Sequence, residues 1–352
     1  FPRLADPTPT LPVDGSFHVG AFHDAAIHHG LALRKTGERR YEIVRGGETI
    51  GRLHSMLTDL VGRDVVRLCA DKSATVKALR RAGVPVPQHR RFGSDEMERA
   101  LGFARKLGFA VVVKPCVGAG GAGVSTAIAG EDDFRAAWAR AVAHLPPNWP
   151  PKVVVESRCP GMDIRAVVVG GRFSCAATRM PGHVIGDGRA TVAELIARKN
   201  AARQGHRYHA RYPVVSDERL RERLAARGLS LDTVPEAGVP LVLAEVNNVH
   251  AGGDACEITD FVSARIRGVA EARAIPGLAV VGVDLLVTSL GEDAEIAVIE
   301  MNPRANFSIH FAPHRGEPRN PALDIVRLMR DAADAGAGGA GREAQSEDVS
   351  RP

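Results

Sequence analysis

Apolar residues occur in short blocks of two kinds, and the two kinds interleave along the chain. Over residues 71–82, Ala74, Val76 and Leu79 form an apolar stripe on a helical period. Asp71 can cap that helix, Gly83 stops it, and Pro85 and Pro87 keep the next segment extended. The same reasoning predicts helices over 18–33 (ending near Gly30), 54–60, 94–106, 131–144, 190–200, 217–227, 260–274 and 321–333. Unbroken apolar runs predict strands over 110–114, 124–127, 153–156, 241–246, 280–286 and 297–301. Two pairs of runs flank glycine pairs and read as hairpins: 41–44 with 48–53 around Gly46-Gly47, and 163–169 with 172–179 around Gly170-Gly171. Frequent hairpins among interleaved helices favour an α+β fold with antiparallel sheets over a single doubly wound sheet. Residues 1–15 are proline-rich and expected to be extended. Residues 334–352 are Gly/Ala-rich, then charged, and are expected to form a disordered tail.

Composition narrows the function classes. A chain of 352 residues can form two or three small domains. The net charge of +5 comes mostly from arginines mixed with acids on helical stretches such as 219–227, which read as solvated faces. Aromatic residues make up 5%, too few for a base-stacking platform, so no nucleic-acid partner is expected. No apolar run approaches the ~20 residues that span a bilayer, and the first residues carry no signal-like apolar core. Five cysteines without a CxxC pair point to reduced thiols and a cytoplasmic location.

The candidate chemistry starts at Val111-Val112-Val113-Lys114-Pro115, followed by a loop with Gly118, Gly120, Gly121 and Gly123. Glycines let backbone amides approach an anion closely, and a lysine at the end of a buried strand must meet a counter-charge or lose its proton. A plain glycine hairpin is the competing reading. The order strand, loop, strand and the missing GKS or GKT exclude a Walker A loop, and no helix follows directly as a dinucleotide fingerprint needs. Lys72, at the start of its helix, reads on its own as a surface lysine. Asp284 sits inside one apolar strand, and Glu300 with Asn302 ends another. An acid so placed must be paired, protonated or bound to a cation, and these hard oxygens suit magnesium. A salt bridge to an arginine is the alternative. Arg165 and Arg179 lie on paired strands and can hold a phosphoryl group or a carboxylate, or lie exposed. The loop Asn247–Gly253, with Asn248, His250, Gly252 and Gly253, is equally a substrate loop or a turn. His206, Arg207, His209 and Arg211 lack zinc spacing and read as a mobile polar loop.

Taken in order, several stretches resemble the ATP-grasp superfamily, and most closely the ATP-grasp domains of cyanophycin synthetase and bifunctional glutathione synthetases, over about residues 20–325. They are Asp71-Lys72 with Ala82–Pro87, Val113-Lys114-Pro115 with its glycine loop, and Asp163-Ile164-Arg165 with Arg179–Gly188. Gly252-Gly253-Asp254 through Asp260, Gly282-Val283-Asp284, Glu300-Met301-Asn302 and Gly316–Asn320 complete the series. The resemblance implies an ATP-grasp fold with four parts: a reduced N-terminal subdomain (1–70), a small lid subdomain with the glycine-rich loop (71–156), a C-terminal subdomain with the metal and substrate site (157–333), and the tail. It implies that Lys72 and Lys114 contact ATP phosphates, with Gly118, Gly120, Gly121 and Gly123 around them. Val155 and Glu156 would meet adenine and ribose. Asp284, Glu300 and Asn302 would hold Mg2+, or Mn2+ in its place. Arg165, Arg179 and Lys114 would act in catalysis, and Asn248, His250, Gly252, Gly253, Arg304, Asn306 and Arg319 would face substrate. The implied reaction activates a carboxylate as an acyl-phosphate and joins it to an amine, releasing ADP and phosphate. Amino acids or small peptides would be the substrates, and a homodimer is a common assembly in the family.

The chain departs from that pattern in two places. His250-Ala251 stands where a Ser/Thr-rich loop is expected, and Pro303–Ser308 replaces a glycine-proline-glycine stretch followed by arginine. Nothing in the sequence resembles the Mur-ligase-like domain of cyanophycin synthetase or the cysteine ligase domain of the glutathione enzymes, so a stand-alone ligase of specialised metabolism is expected. A carboxylate kinase or cyclase acting on one amino-acid-derived substrate, and a non-catalytic nucleotide sensor, are the alternatives.

Overall fold

A computed structural model of the chain describes residues 16–346, apart from residues 119–120, 127, 207, 245–246 and 273–274. The proline-rich start and the last six residues therefore lie outside the described residues, as do Gly120 and Arg207. Helix α1 (Phe17–His28) begins at Ser16, whose hydroxyl accepts from the Val19 amide, and buries Phe17, Phe22 and Ala25. Gly30 takes φ +68 and ends it, so residues 32–33 leave the expected helix and open β1 (Ala32–Gly37). Strands β2 (Arg40–Arg45) and β3 (Glu48–His54) form the expected hairpin, with Gly46 and Gly47 at φ +55 and +93, the left-handed pair that a two-residue hairpin needs. The helix expected over 54–60 does not form. His54 stays in the ladder and pairs with Leu57 of β4 (Leu57–Thr58), and Ser55 at φ +56 turns the chain between them. Two helices follow, α2 (Arg63–Ala70) and α3 (Lys72–Arg81). Asp71 caps α3, accepting from the Ser73 and Ala74 amides; α2 has only eight residues, of which it buries Cys69 alone, and was not foreseen.

The next module is a three-stranded sheet with two helices: β5 (His89–Gly93), α4 (Met97–Lys106), β6 (Val111–Pro115), α5 (Glu131–Ala143) and β7 (Lys152–Ser157), in the order β5-β7-β6. Alternation sorts its strands. Val111, Val113, Val153 and Val155 pack with Phe134 and Trp138 on one face, while Lys114 and Glu156 belong to the other. The strand expected over 124–127 is reduced to an isolated bridge between Ser125 and Val113, the neighbouring glycines giving it no further partners; Ala127 lies outside the described residues.

The remaining chain builds the largest sheet. Its elements are β8 (Met162–Val169), β9 (Arg172–Met180), β10 (His183–Ile185), α6 (Val192–Gln204), α7 (Glu218–Ala225), β11 (Pro240–Val242), β12 (Asp254–Glu257), α8 (Ala264–Glu271), β13 (Val280–Val287), β14 (Ile296–Asn302), α9 (Ser308–Phe311) and α10 (Ala322–Ser346). Five strands run β12-β9-β8-β13-β14, and β10 and β11 make a separate ribbon beside α6 and α7. All the pairings between these strands are antiparallel. Three expected boundaries move. The strand over 241–246 shortens to β11, since its ladder with β10 ends there, and residues 245–246 lie outside the description. The helix over 260–274 splits into a 3-10 turn (Thr259–Phe261) and α8, because Ser263 caps a new start. The backbone of α10 continues past Ala333 through Ser346, where a disordered tail was expected. No described helix is long and apolar enough to cross a membrane.

Candidate active site

The charged faces of the three-stranded and five-stranded sheets open onto one cleft of about 690 Å3, a size suited to a small-molecule ligand. From β6 and its loop come Lys114, Gly118 and Gly121; Lys72 reaches in from α3; β8, β9, β13 and β14 supply Arg165, Arg179, Asp284, Glu300 and Asn302.

On the three-stranded sheet, Lys114 does meet a counter-charge. Its ammonium donates to Glu156 Oε1, with both side chains buried. Burial pushes the Glu156 carboxyl up, but Lys114 and His89 together outweigh it and hold the group below its usual range. Lys72 donates to the Gly118 carbonyl at 2.8 Å and lies 3.7 Å from Glu300, so it is tied to the glycine loop rather than free on the surface. Gly121 takes φ +80 on the cleft wall. Gly123 sits behind it: a Cβ there would meet His144 Cβ at 2.8 Å and Pro115 Cγ at 2.9 Å, so this glycine permits packing. Val155, expected near adenine, points into the core on the far face of β7, as strand alternation with Glu156 requires.

On the five-stranded sheet, Arg165, Asp284 and Glu300 stand opposite one another across β8, β13 and β14. The Arg165 guanidinium grips Asp284 with two hydrogen bonds, Nη2 to Oδ2 at 2.9 Å and Nε to Oδ1. Arg179 donates to Asp163 Oδ1 at 2.6 Å and approaches Asp284 Oδ1 at 3.3 Å. The salt-bridge alternative for Asp284 is thus realised, by both candidate arginines together. Burial pushes Asp284 up, yet Arg165 and Arg179 hold it below the usual carboxylate range. Asp163 goes the other way: burial raises it, the nearby Asp284 charge adds to that, and Arg179 only partly offsets them. Asn302 lies two residues beyond Glu300 on the cleft, with its Oδ1 accepting from the Arg304 amide at 2.9 Å.

The substrate-loop candidates separate. Asn248, His250, Arg304 and Asn306 line the cleft, beside Tyr208. Gly252 and Gly253 do not; they shape the loop. Their carbonyls accept from the buried Arg203 at 3.2 and 2.9 Å, and a Cβ on Gly253 would come within 2.4 Å of the Met180 carbonyl. Arg319 also lies away from the cleft, paired to Asp260 at 2.5 Å. The polar segment around His206 is not an open loop. His209 is fully buried, and Asp254, its neighbour, already holds Lys199 and Arg203, which leaves a metal cation little to bind.

Sequence reasoning passed over Asp163, Arg203 and His89. Asp163 was visible as the first residue of the Asp-Ile-Arg stretch, two strand positions before Arg165 and so on the same face of β8. Arg203 and His89 carried no signal, since each acquires its role from partners distant in sequence.

Residues 71–157 match the family model described as carbamoyl-phosphate synthase L chain, ATP binding domain. The chain is 32% identical over 287 residues to cyanophycin synthetase of a Nostoc species, across 79% of this chain and 31% of that protein. It is 30% identical over 318 residues to the glutathione biosynthesis bifunctional protein of Enterococcus faecalis, across 86% of this chain and 41% of that one. The crystal structure of a bifunctional glutathione synthetase from Pasteurella multocida superposes with a TM-score of 0.63 at 25% identity, over 89% of this chain and 43% of that chain. The chain therefore spans well under half the length of these relatives. Antiparallel sheets clasping one charged cleft, in a chain with these relatives, identify it as carrying an ATP-grasp domain homologous to those of cyanophycin synthetase and bifunctional glutathione synthetase.

Proposed function

We propose that the chain is an ATP-dependent carboxylate–amine ligase that joins amino acids or small peptides through an acyl-phosphate. The observation that carries this reading is the convergence of Lys72, Lys114 and the glycine loop with Asp284, Glu300, Arg165 and Arg179 on one cleft. Lys72 and Lys114 would hold the phosphates of ATP, with Gly118 and Gly121 letting the backbone come close. Asp284, Glu300 and Asn302 would hold magnesium. The donor set fits a hard cation: Asp284 and Glu300 are direct cross-strand neighbours, and a carboxylate has about four lone-pair sites, so the grip of Arg165 leaves Asp284 room for another partner. Bound there, the cation would neutralise charge on the phosphates.

The chemistry then divides among this chain's own groups. The substrate carboxylate attacks the γ-phosphorus, the bond to ADP breaks, and the new acyl-phosphate lies beside Arg165 and Arg179. The amine attacks the acyl carbon, loses a proton, and expels phosphate to leave an amide. Fixed guanidinium groups stabilise the oxygens on which charge builds, without reorganising during the reaction. In this reading residues 71–156 act as a small lid module and 157–333 as the body, His250, Asn248, Arg304 and Asn306 border the acid or amine, and the five free cysteines suit a cytoplasmic enzyme.

The test is release of ADP and phosphate over a panel of amino-acid and peptide pairs, with mass detection of products. A condensed amide formed with stoichiometric ADP is expected. ATP consumption that leaves every acid and amine unjoined would overturn ligation.

A further inference from the structure

His89 begins β5 directly opposite Glu156 in the ladder. Its Nε2 lies 2.6 Å from the Ser73 hydroxyl, in the first turn of α3. Its Nδ1 lies 3.7 Å from Glu156 Oε2. Both of those atoms are buried and have no hydrogen-bond partner. The other oxygen of Glu156 is the one that holds Lys114. The imidazole tautomer with its proton on Nδ1 satisfies both ends: Ser73 donates to Nε2, and Nδ1–H faces the open oxygen of Glu156.

This arrangement answers a difficulty in recruiting Lys114. If the ammonium turns to a phosphate, it leaves Glu156 as a buried carboxylate without its cation, which is among the costlier situations in a protein interior. A closing movement of under about 1 Å brings Nδ1–H within bonding distance of Oε2. Ser73 fixes the ring from behind.

We propose that His89 is a positioning residue that takes over Glu156 when Lys114 is drawn to the nucleotide triphosphate. The proposal rests on the reading that Lys114 binds phosphate. It assigns His89 no contact with substrate.

The test is the affinity of the full chain for the β,γ-imido analogue of ATP with magnesium, by calorimetry. His89→Ala is expected to weaken binding about tenfold or more, and His89→Gln, which keeps a donor, to recover most of it. His89→Leu, similar in volume, covers the case in which the alanine variant does not fold, and should bind as weakly as the alanine variant. In a Glu156→Gln background there is no charge to strand, so His89→Leu should change affinity less than about twofold. A merely structural role would predict the same loss in both backgrounds, and that result overturns the proposal. So does binding by His89→Leu within about twofold of wild type while Lys114→Ala has lost the analogue. If Lys114→Ala itself binds the analogue as wild type does, the phosphate reading fails first and takes this proposal with it.

Discussion

On the three-stranded sheet Lys114 faces one carboxylate, Glu156, whereas on the five-stranded sheet Asp284 faces two guanidinium groups and Asp163 shares one of them. Both walls bury charge, but they restrain it differently. A lysine is a compact charge on a flexible stem and can change partners; an arginine fork locked in two hydrogen bonds cannot do so without breaking both. The first wall is suited to recruiting a mobile ligand, the second to presenting fixed positive charge. Preorganisation belongs where charge develops during reaction, and exchangeable contacts belong where a cosubstrate enters and leaves.

The sharpest way to break this comparison is Asp284→Asn. On the ligase reading it should lower kcat by about 10³-fold with nucleotide affinity changed far less, because it removes both a metal oxygen and the partner of two arginines. A normal rate of ADP release in the variant removes Asp284 from the site. Next in size, Lys114→Ala should weaken nucleotide binding about 10²-fold, read by calorimetry, while the fold persists. Affinity loss in the first variant and rate loss in the second would reverse the assignment of the walls.

Acid should separate the two regions as well. Burial lowers His18 to about 4 among Phe22 and Phe307, and burial, helped by His206 and Arg203, lowers His209 to about 2. Both folded values lie below the ~6.5 of an unfolded histidine, so the folded state takes up no proton there while the unfolded chain does. Stability is complete above about pH 6.5 and falls as pH drops, by roughly 2 kcal/mol for each histidine at pH 5. Both lie outside the three-stranded module, whereas both tryptophans, Trp138 and Trp149, belong to residues 71–156. Melting followed at pH 5 should show far-UV circular dichroism changing at lower temperature than tryptophan fluorescence; coincident curves at every pH would mean the molecule unfolds as one unit. The smallest effect is expected from Arg319→Ala. Its partner Asp260 is exposed and the pair lies off the cleft, so stability should change by no more than about 1 kcal/mol and turnover less than about threefold. A large loss of turnover would bring Arg319 back into the substrate site.

Much was legible in the sequence because some signals are local. Lys114 at the end of a valine strand, Gly118 and Gly121 after it, Asp71 as a cap and the glycine pairs of two hairpins each act within a few residues, and each stands where expected. Acids inside apolar strands were equally visible, since Asp284 and Glu300 break an otherwise apolar alternation. Short elements failed for the opposite reason. β4, β5 and β12 have two to five residues each, too few to leave a period, and form because neighbours supply their partners.

Local order of residues thus determined the class of fold, the lysine on the cleft wall and the pair of strand-borne acids, because capping, turn conformation and alternation are properties of a few consecutive positions. Tertiary structure alone decided that Arg165 and Arg179 converge on Asp284, that Gly252 and Gly253 hang from Arg203 rather than face the cleft, and that His89 stands behind Glu156. Those are contacts between residues many tens of positions apart. Which charges meet depends on sheet order and register, and no short stretch of chain encodes either one.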